Sequence, residues 1–468
     1  MGIILTNPYL LIPGLIIAIA IMRFPFFGGL LLYTMMFLDT RSFPAFKDIE
    51  KIILLFSLGM AIFHASVRGR GFVSVAKLFV IISIFFFITF ISMWINDLTF
   101  VNFFAYSYGE GKILILVCIY FLYPLNERET KFCLIYMMMP LIFQIPFLLD
   151  QAVESGGALP QGNYADYYTG TVGELNNTRL ACAGITMGAI CWGIIHKNYF
   201  NDKSLLATIL AYCWLLPILT DSKTLVILLI ASLGLYFAME RIWPAFSVRR
   251  LLKGILAAKL FAAIATGTII CAGILYLLPE TREVYGKWTW YEFKSTSNIR
   301  VYENVFDHVL DRFEVFIFGL GPGTSMSTVA ATLNSPFYYD FVANTWDPRK
   351  INLSISGSGT STVGAFLGDL GLLGAVFFSF CVYWLFKYIA LFAKSIQTPF
   401  SRVILAISQL IFIYLVIYGC IGPSFENWLN FVPLAVCLGY TNTYLYNLKV
   451  ARDHQIDNLY TSASTAQP

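Results

Sequence analysis

Charged residues are scarce in this chain. Asp, Glu, Lys and Arg make up 12% of its 468 residues, whereas a soluble globular protein has about 25%. Hydrophobic residues make up 58%, and the mean hydropathy is +0.71. This balance excludes an ordinary soluble domain. The net charge of +4 is small and its bases are dispersed, so the sequence also lacks the basic patch typical of a nucleic-acid-binding protein.

The sequence also lacks the common catalytic and metal-binding templates. Its four histidines are scattered, and no pair has the spacing of metal ligands. It contains no P-loop string, no His-Glu-x-x-His and no Gly-x-Ser-x-Gly. The nine cysteines fall in or beside apolar segments, which argues against a disulfide framework. We therefore expect neither a metal site nor a cofactor.

What the sequence has instead is a series of apolar segments close to the roughly 20 residues that span a bilayer. They predict an all-α, polytopic transmembrane bundle of about twelve or thirteen spans. The first two segments are short enough to form one broken helix. The predicted segments are 8–22, 25–39, 50–66, 73–95, 109–123, 131–149, 179–196, 204–219, 222–240, 255–279, 361–387, 402–421 and 428–447.

The distribution of basic residues predicts the orientation. Lys and Arg recur in alternate loops, which the positive-inside rule makes cytoplasmic. The loop at 150–178 has carboxylates but no base, and we expect it to lie outside. The expected parts are transmembrane helices over 1–279 (about ten spans), a large extracytoplasmic loop with an amphipathic helix over 280–360, C-terminal transmembrane helices over 361–447 and a cytoplasmic tail over 448–468.

Three bases stand at predicted helix starts on the outer side: Arg179, Lys223 and Arg300. A base in the first turn opposes the helix dipole, which costs up to about 1 kcal/mol. A bound anion would offset that cost, because helix N-termini and cationic side chains both favour phosphate. We predict a phosphate or pyrophosphate site at the outer face. The alternative is that these are unrelated interfacial bases whose charged ends reach the headgroups.

The long loop carries an amphipathic run that begins at Arg300. It ends in the string Phe318-Gly319-Leu320-Gly321-Pro322-Gly323, which is typical of a tight turn closing a helix. Asp369 follows inside the predicted segment 361–387, where a carboxylate is unfavourable and often functional. Its alternative role is a pair with a neighbouring helix or hydroxyl. The apolar side of the run comprises Val301, Val305, Phe306, Val309, Leu310 and Phe313.

Four strings, in order, resemble elements of the O-antigen polymerase and O-antigen ligase superfamily, the Wzy-like membrane glycosyltransferases. Gly170 to Asn177 is similar to a Gly-x-x-Gly-x-x-x-Asn element, and Ser222-Lys223-Thr224 to a Ser-Arg-Thr element with Lys in place of Arg. Arg300 to Gly323 is similar to the loop helix with its Gly-x-Gly turn, and Leu367 to Gly374 to the acid-Leu-Gly-Leu-Leu-Gly span. The resemblance covers roughly residues 150 to 390.

The chain departs from the ligase pattern at one place. Many ligase-type members have a His-Asn pair just before the acid-Leu-Gly span, and here the sequence from Ser356 to Thr362 has no histidine. The departure favours the polymerase branch. The alternatives are a ligase that moves finished glycan, and a lipid-linked oligosaccharide flippase or other transporter. Transporter folds tend to have two similar halves, and no internal repeat is visible here.

The resemblance implies a reaction at the outer face of a bacterial inner membrane. The donor is a glycan on undecaprenyl pyrophosphate, and the acceptor is a sugar hydroxyl of another lipid-linked repeat unit. Partners implied are membrane lipid, a chain-length regulator and a flippase, without nucleic acid, nucleotide or metal. Arg300 is then expected to be catalytic, with Glu174, Asp221 and Asp369 as candidate bases. The substrate-binding residues expected are Arg179, Lys223, Arg312, Gly319 and Gly321.

Overall fold

The computed structural model of this chain is a helical bundle. No β-strand occurs in the part of the chain it describes, which confirms the all-α fold for those residues. The described residues are 8–38, 46–68, 72–154, 171, 177–200, 203–220, 223–240, 298–343, 361–420, 422 and 428–465.

The helices follow the predicted apolar segments closely. Each predicted segment coincides with a helix, except 255–279, which lies outside the described residues. Among the described residues up to 240, the helices are α1 Pro8–Arg23, α2 Phe27–Met35, α3 Phe46–Arg68, α4 Phe72–Ile95, α5 Phe100–Leu122, α6 Glu127–Ile142, α7 Gln144–Glu154, α8 Asn177–His196, α9 Ser204–Leu219 and α10 Lys223–Glu240. The later helices are α11 Asn298–Leu310, α12 Phe313–Phe318, α13 Thr328–Thr332, a π-helix Tyr338–Ala343, α14 Thr362–Ser395, α15 Pro399–Gly419 and α16 Trp428–Thr465.

Several boundaries differ from the sequence prediction, including the end of α14 at Ser395 rather than 387. Helix α5 begins at Phe100 rather than near 109, because Asn102 and Ser107 interrupt the apolar signal without breaking the helix. The segment 131–149 is divided into two helices, α6 ending at Ile142 and α7 starting at Gln144. The division comes two residues after Pro140, which has no backbone N–H and therefore cannot donate a helical hydrogen bond. Helix α16 continues to Thr465 instead of ending near 447.

Several helices are long and apolar enough to cross a membrane. Seven candidate spans occur among the described residues, which fits a multi-pass membrane protein. The two short helices α1 and α2 fit the expected broken first span. The total of twelve or thirteen stays a prediction. The candidate spans are Ile49–Val67, Val75–Ile95, Phe100–Leu122, Glu127–Glu154, Arg179–His196, Thr362–Ser395 and Pro399–Gly419, and shorter apolar helices are Gly14–Arg23, Ser204–Leu219 and Leu225–Met239.

The bundle has a buried centre and an apolar periphery. Helices α5, α8 and α15 are mostly buried by their neighbours, whereas α3 and α4 are mostly exposed. The exposed faces of the outer helices present large apolar side chains such as Phe63, Phe87 and Trp94. In a water-soluble protein such a surface would aggregate, but in a bilayer it faces lipid.

The region 280–360, expected to be a large loop, contains a folded unit of residues 298–343. Val301, Val305 and Val309 of α11 are buried against Met326, Ala330, Tyr338 and Val342. The acidic side chains of α11 point to the surface, as its periodicity predicts. Phe306, Leu310 and Phe313 are exposed, so the apolar side of this helix is wider than its own core needs.

Candidate functional site

The helices that carry the three predicted bases begin at one end of the bundle. Tyr302, in the first turns of α11, donates a hydrogen bond to the backbone oxygen of Cys420 (2.7 Å) and lies 2.6 Å from the Ser361 hydroxyl. The backbone N–H of Thr362 donates to the oxygen of Gly422 (3.2 Å). The starts of α11 and α14 therefore meet the end of α15. We call this end of the bundle the shared end.

Helices α8 and α10 also start there. Cys182, three residues after Arg179, accepts a hydrogen bond from the Tyr414 hydroxyl (3.3 Å) near the end of α15. Helix α9 returns alongside α8, where Gly184 faces the backbone of Cys213 and the side chain of Leu216. The end of α9, and with it the start of α10 at Lys223, thus lies at the shared end. The helix starts that carry Arg179, Lys223 and Arg300 are therefore at the same end of the bundle, and an anion site there stays a prediction.

A hydrogen-bonded tyrosine stabilises this meeting of helices. Burial raises the pKa of Tyr302 to about 12, so its phenol keeps its proton and donates it. The Ser361 hydroxyl also accepts from the backbone N–H of Gly364 (2.9 Å), which caps α14. The position of Arg300, two residues before Tyr302, is therefore held by backbone and hydroxyl contacts that do not involve its own side chain.

Asp369 lies within α14, below the shared end, and is fully buried. Its Oδ1 accepts hydrogen bonds from the backbone N–H of Ser325 (2.6 Å) and from the Ser325 hydroxyl (2.5 Å). Its Oδ2 has no hydrogen-bond partner among the described residues. The carboxylate thus anchors the segment that follows Phe318 to Gly323, which we call the glycine string. This matches the pairing with a hydroxyl that we raised as the alternative to catalysis.

The glycine string rests directly on the backbone of α14. Gly319 has φ 76° and ψ −175°, and Gly371 has φ 63° and ψ −149°, a region that essentially only glycine adopts. A Cβ on Gly319 would lie 2.4 Å from the Asp369 carbonyl, and one on Gly371 would lie 2.4 Å from the Gly319 nitrogen. Leu320 and Gly321 donate backbone hydrogen bonds to Gly368 and Asp369 (2.8 and 3.0 Å).

Polar residues within α4 and just after its end hold the same string from the other side. The Ser92 hydroxyl lies 2.6 Å from the Phe318 oxygen and 3.1 Å from the Asp369 oxygen. The Asn96 amide donates to the oxygen of Gly319 (3.2 Å). Gly319 and Gly321 are buried in this contact, so a docking role accounts for both glycines without a substrate.

The remaining predicted residues are placed as follows. Arg312 is exposed just beyond the far end of α11 from Arg300. The ten residues between 300 and 310 rise about 15 Å, so Arg312 is the predicted base least suited to share a ligand with Arg300. Glu174 and Asp221 lie outside the described residues. Among the described residues, no group of His, Cys, Asp and Glu is arranged to hold a metal ion.

A second polar cluster was missed by the sequence analysis. Glu50 of α3 and Lys112 of α5 form an ion pair at 3.2 Å, and the Tyr108 hydroxyl donates to the same Glu50 oxygen at 3.2 Å. The Lys112 ammonium lies 5.1 Å from the centre of the Trp428 ring, and that of Lys51 lies 5.9 Å from the Tyr108 ring. We call these five residues the Glu50 cluster. Ionisable residues inside an apolar span were the available signal, which we applied only to Asp369.

We expect Asp369→Ala to destabilise the protein more than Asp369→Asn does. Asparagine keeps an oxygen for Ser325, whereas alanine leaves the buried Ser325 N–H unpaired, at a cost of about 1–3 kcal/mol. The measurement is the thermal unfolding midpoint of the detergent-purified protein. Equal midpoints for the two variants would contradict the anchoring role. A stable Asp369→Asn protein without activity would instead return Asp369 to the candidate bases.

Comparisons with known proteins give no family assignment. A scan against protein-family models finds no match, and a search of curated proteins finds no similar one.

Proposed function

We propose that this protein is a membrane polysaccharide polymerase. It joins repeat units carried on undecaprenyl pyrophosphate at the outer face of a bacterial inner membrane, and uses no metal. The observation that carries the proposal is the shared end, where the helices with Arg179, Lys223 and Arg300 in their first turns meet the end of α15. The ordered resemblance of residues 150–390 to the O-antigen polymerase superfamily points to the same chemistry.

The chemistry needs fixed positive charge more than it needs a cofactor. A pyrophosphate bearing a sugar is already an activated leaving group, and it departs with negative charge. Helix N-termini and cationic side chains that are in place before the reaction stabilise such charge without reorganising. Arg300, Arg179 and Lys223 are proposed for this role, with Arg300 nearest the reacting bond. The folded unit 298–343 covers the bundle beside them and holds the growing chain.

An apolar groove in the bundle suits the lipid part of the proposed substrate. A largely apolar groove lies between α4, α5, α14 and α16, with Glu110 the one ionisable carboxylate among its lining residues. Phe85, Val117, Phe377, Leu385 and Phe431 are among its lining residues. An isoprenoid chain is flexible and apolar, so we propose that one segment of it lies in this groove while the pyrophosphate is held at the shared end.

The test of the function is the glycan made by a strain that lacks this protein. We expect single repeat units to accumulate on the carrier lipid, accessible from outside the cell. A gel of lipid-linked and surface glycan, with enzymatic labelling of intact cells, measures both properties. Units trapped on the cytoplasmic side would mean a flippase, and long polymer left on the carrier lipid would mean a ligase. A normal chain-length ladder would overturn the proposal.

A further inference from the structure

The geometry of the Glu50 cluster fits a binding site better than a purely structural ion pair. Lys112 and Tyr108 both bind Oε1 of Glu50, and no hydrogen bond to Oε2 is found among the described residues. The side chains of Glu50 and Lys112 are 10% and 14% exposed, so the cluster is sheltered but reachable. One carboxylate oxygen is thus fixed by two donors, and the other accepts from none of the described residues.

The ion pair is poorly explained as a source of stability. Removing two charges from water costs about as much as their attraction returns, and apolar residues of similar volume often replace such a pair without loss. In an apolar span, ionisable residues usually mark a functional site. The exposed pair Glu127–Lys131, one turn apart on α6, has no such position and serves as a comparison.

The surroundings of the pair offer groups that suit a sugar. Tyr108 is half-buried and presents its ring beside Glu50, whereas the Trp428 ring is fully buried and packs against the Lys112 ammonium. The indole N–H of Trp428 is buried without a hydrogen-bond partner among the described residues. Flat rings suit the apolar face of a sugar, and charged or polar groups bind its hydroxyls strongly.

The cluster lies inside the bundle beneath the shared end. Leu429, the residue after Trp428, accepts a hydrogen bond from the Thr186 hydroxyl of α8 at 3.1 Å. Thr186 follows Arg179 by seven residues, which is about 10 Å along the helix. Helix α3 starts near the same level, since Glu50 lies in its second turn and faces Lys112 in the middle of α5.

We propose that the Glu50 cluster binds the acceptor sugar and that Glu50 is the general base. This inference rests on the proposed function. The acceptor O–H gives its proton to Oε2 of Glu50 while its oxygen forms a bond to the anomeric carbon of the donor. The bond from that carbon to the pyrophosphate oxygen breaks, and the lipid pyrophosphate leaves with the electron pair. Lys112 and Tyr108 are positioning residues that hold Oε1.

The test uses a strain lacking the chromosomal copy, complemented with variants of the full chain. Glu50→Gln is expected to insert normally and to lower polymer formation at least ~100-fold, the scale of a lost general base. Lys112→Arg keeps the positioning contact and should retain most activity. Glu127→Gln is the matched control and should give a normal ladder. Protein amount is read by immunoblot of the membranes.

A charge-swapped variant separates catalysis from structure. Glu50→Lys combined with Lys112→Glu keeps the ion pair but moves the carboxylate to α5, so the proposal predicts an inserted, inactive protein. Recovery of the ladder by this double variant, or a normal ladder from Glu50→Gln, would overturn the proposal. If Glu50→Gln fails to insert, the double variant Glu50→Gln/Lys112→Gln replaces it, because it leaves no unpaired charge. Loss of polymer in an inserted double variant is the expected result, and a normal ladder would overturn the proposal.

The failure of this inference is distinguishable from the failure of the proposed function. If the strain without the protein still makes a normal ladder, the function itself is wrong. If that strain makes no polymer but Glu50→Gln restores it, the function stands and only the role of Glu50 is removed.

Discussion

Arg300→Ala is expected to abolish polymer formation while the protein still folds and inserts. The helix that bears Arg300 is held by Val301, Val305 and Val309 and by the hydrogen bonds of Tyr302. These contacts belong to other residues, so we expect the truncation to leave the helix in place. What is lost is the guanidinium proposed to face the leaving pyrophosphate. Loss of one such group lowers the rate about 10²–10³-fold in enzymes where it has been removed.

The control for Arg300→Ala is Arg402→Ala. Arg402 is also a base in the first turn of a helix, but it is exposed on α15 at the end of the bundle away from the shared end. We expect a normal ladder from it. Arg300→Lys keeps the charge but loses the planar fork, and should give an intermediate result. The measurement is the chain-length ladder at matched protein levels. A normal ladder from Arg300→Ala would remove Arg300 from the mechanism.

Gly319→Ala is expected to prevent the folded unit 298–343 from docking on α14. Two costs add at this position. The backbone lies in a region that only glycine occupies without strain, worth about 1–3 kcal/mol. The new Cβ would also lie 2.4 Å from the backbone of Asp369, which cannot move aside as a flexible side chain could. Forcing an atom into packed structure costs about 1–3 kcal/mol more.

The measurement for Gly319→Ala is the thermal unfolding midpoint in detergent, with the yield of monodisperse protein. Gly59→Ala is the control, because Gly59 lies within α3 and nothing is found within 4 Å of an added Cβ. Alanine there should be neutral or stabilise the helix by up to about 1 kcal/mol. A wild-type midpoint for Gly319→Ala would show that the string does not rest on α14 as described.

The apolar segments and the amphipathic run could be predicted from the sequence because their signals are local. A run of apolar residues predicts a helix at that place in the chain, and the spacing of Val301, Val305 and Val309 predicts the buried side of α11. The docking of Gly319 on Gly371 could not be predicted in this way. Both glycine strings are visible in the sequence, but neither shows which backbone approaches it.

The Glu50 cluster could not be predicted from the sequence for a related reason. Glu50 stands at the edge of a predicted span, where a charge is ordinary, and Lys112 alone resembles a base that reaches toward the headgroups. Their meaning appears only when α3 and α5 are placed side by side, since the two residues are 62 positions apart. Asp369 shows the reverse case, because its place in a span was noticed while its partner, Ser325, was not.

The contacts of Ser92 set a condition on how the protein is made. Its hydroxyl on α4 is satisfied by the oxygens of Phe318 and Asp369, which lie 226 and 277 positions later in the chain. The nascent α4 therefore enters the bilayer with polar groups whose partners have not yet been translated. Until α14 emerges from the ribosome, both of these partners of Ser92 are missing. A ribosome that stops short of Asp369 leaves a fragment in which α4 has no such partners to pack against.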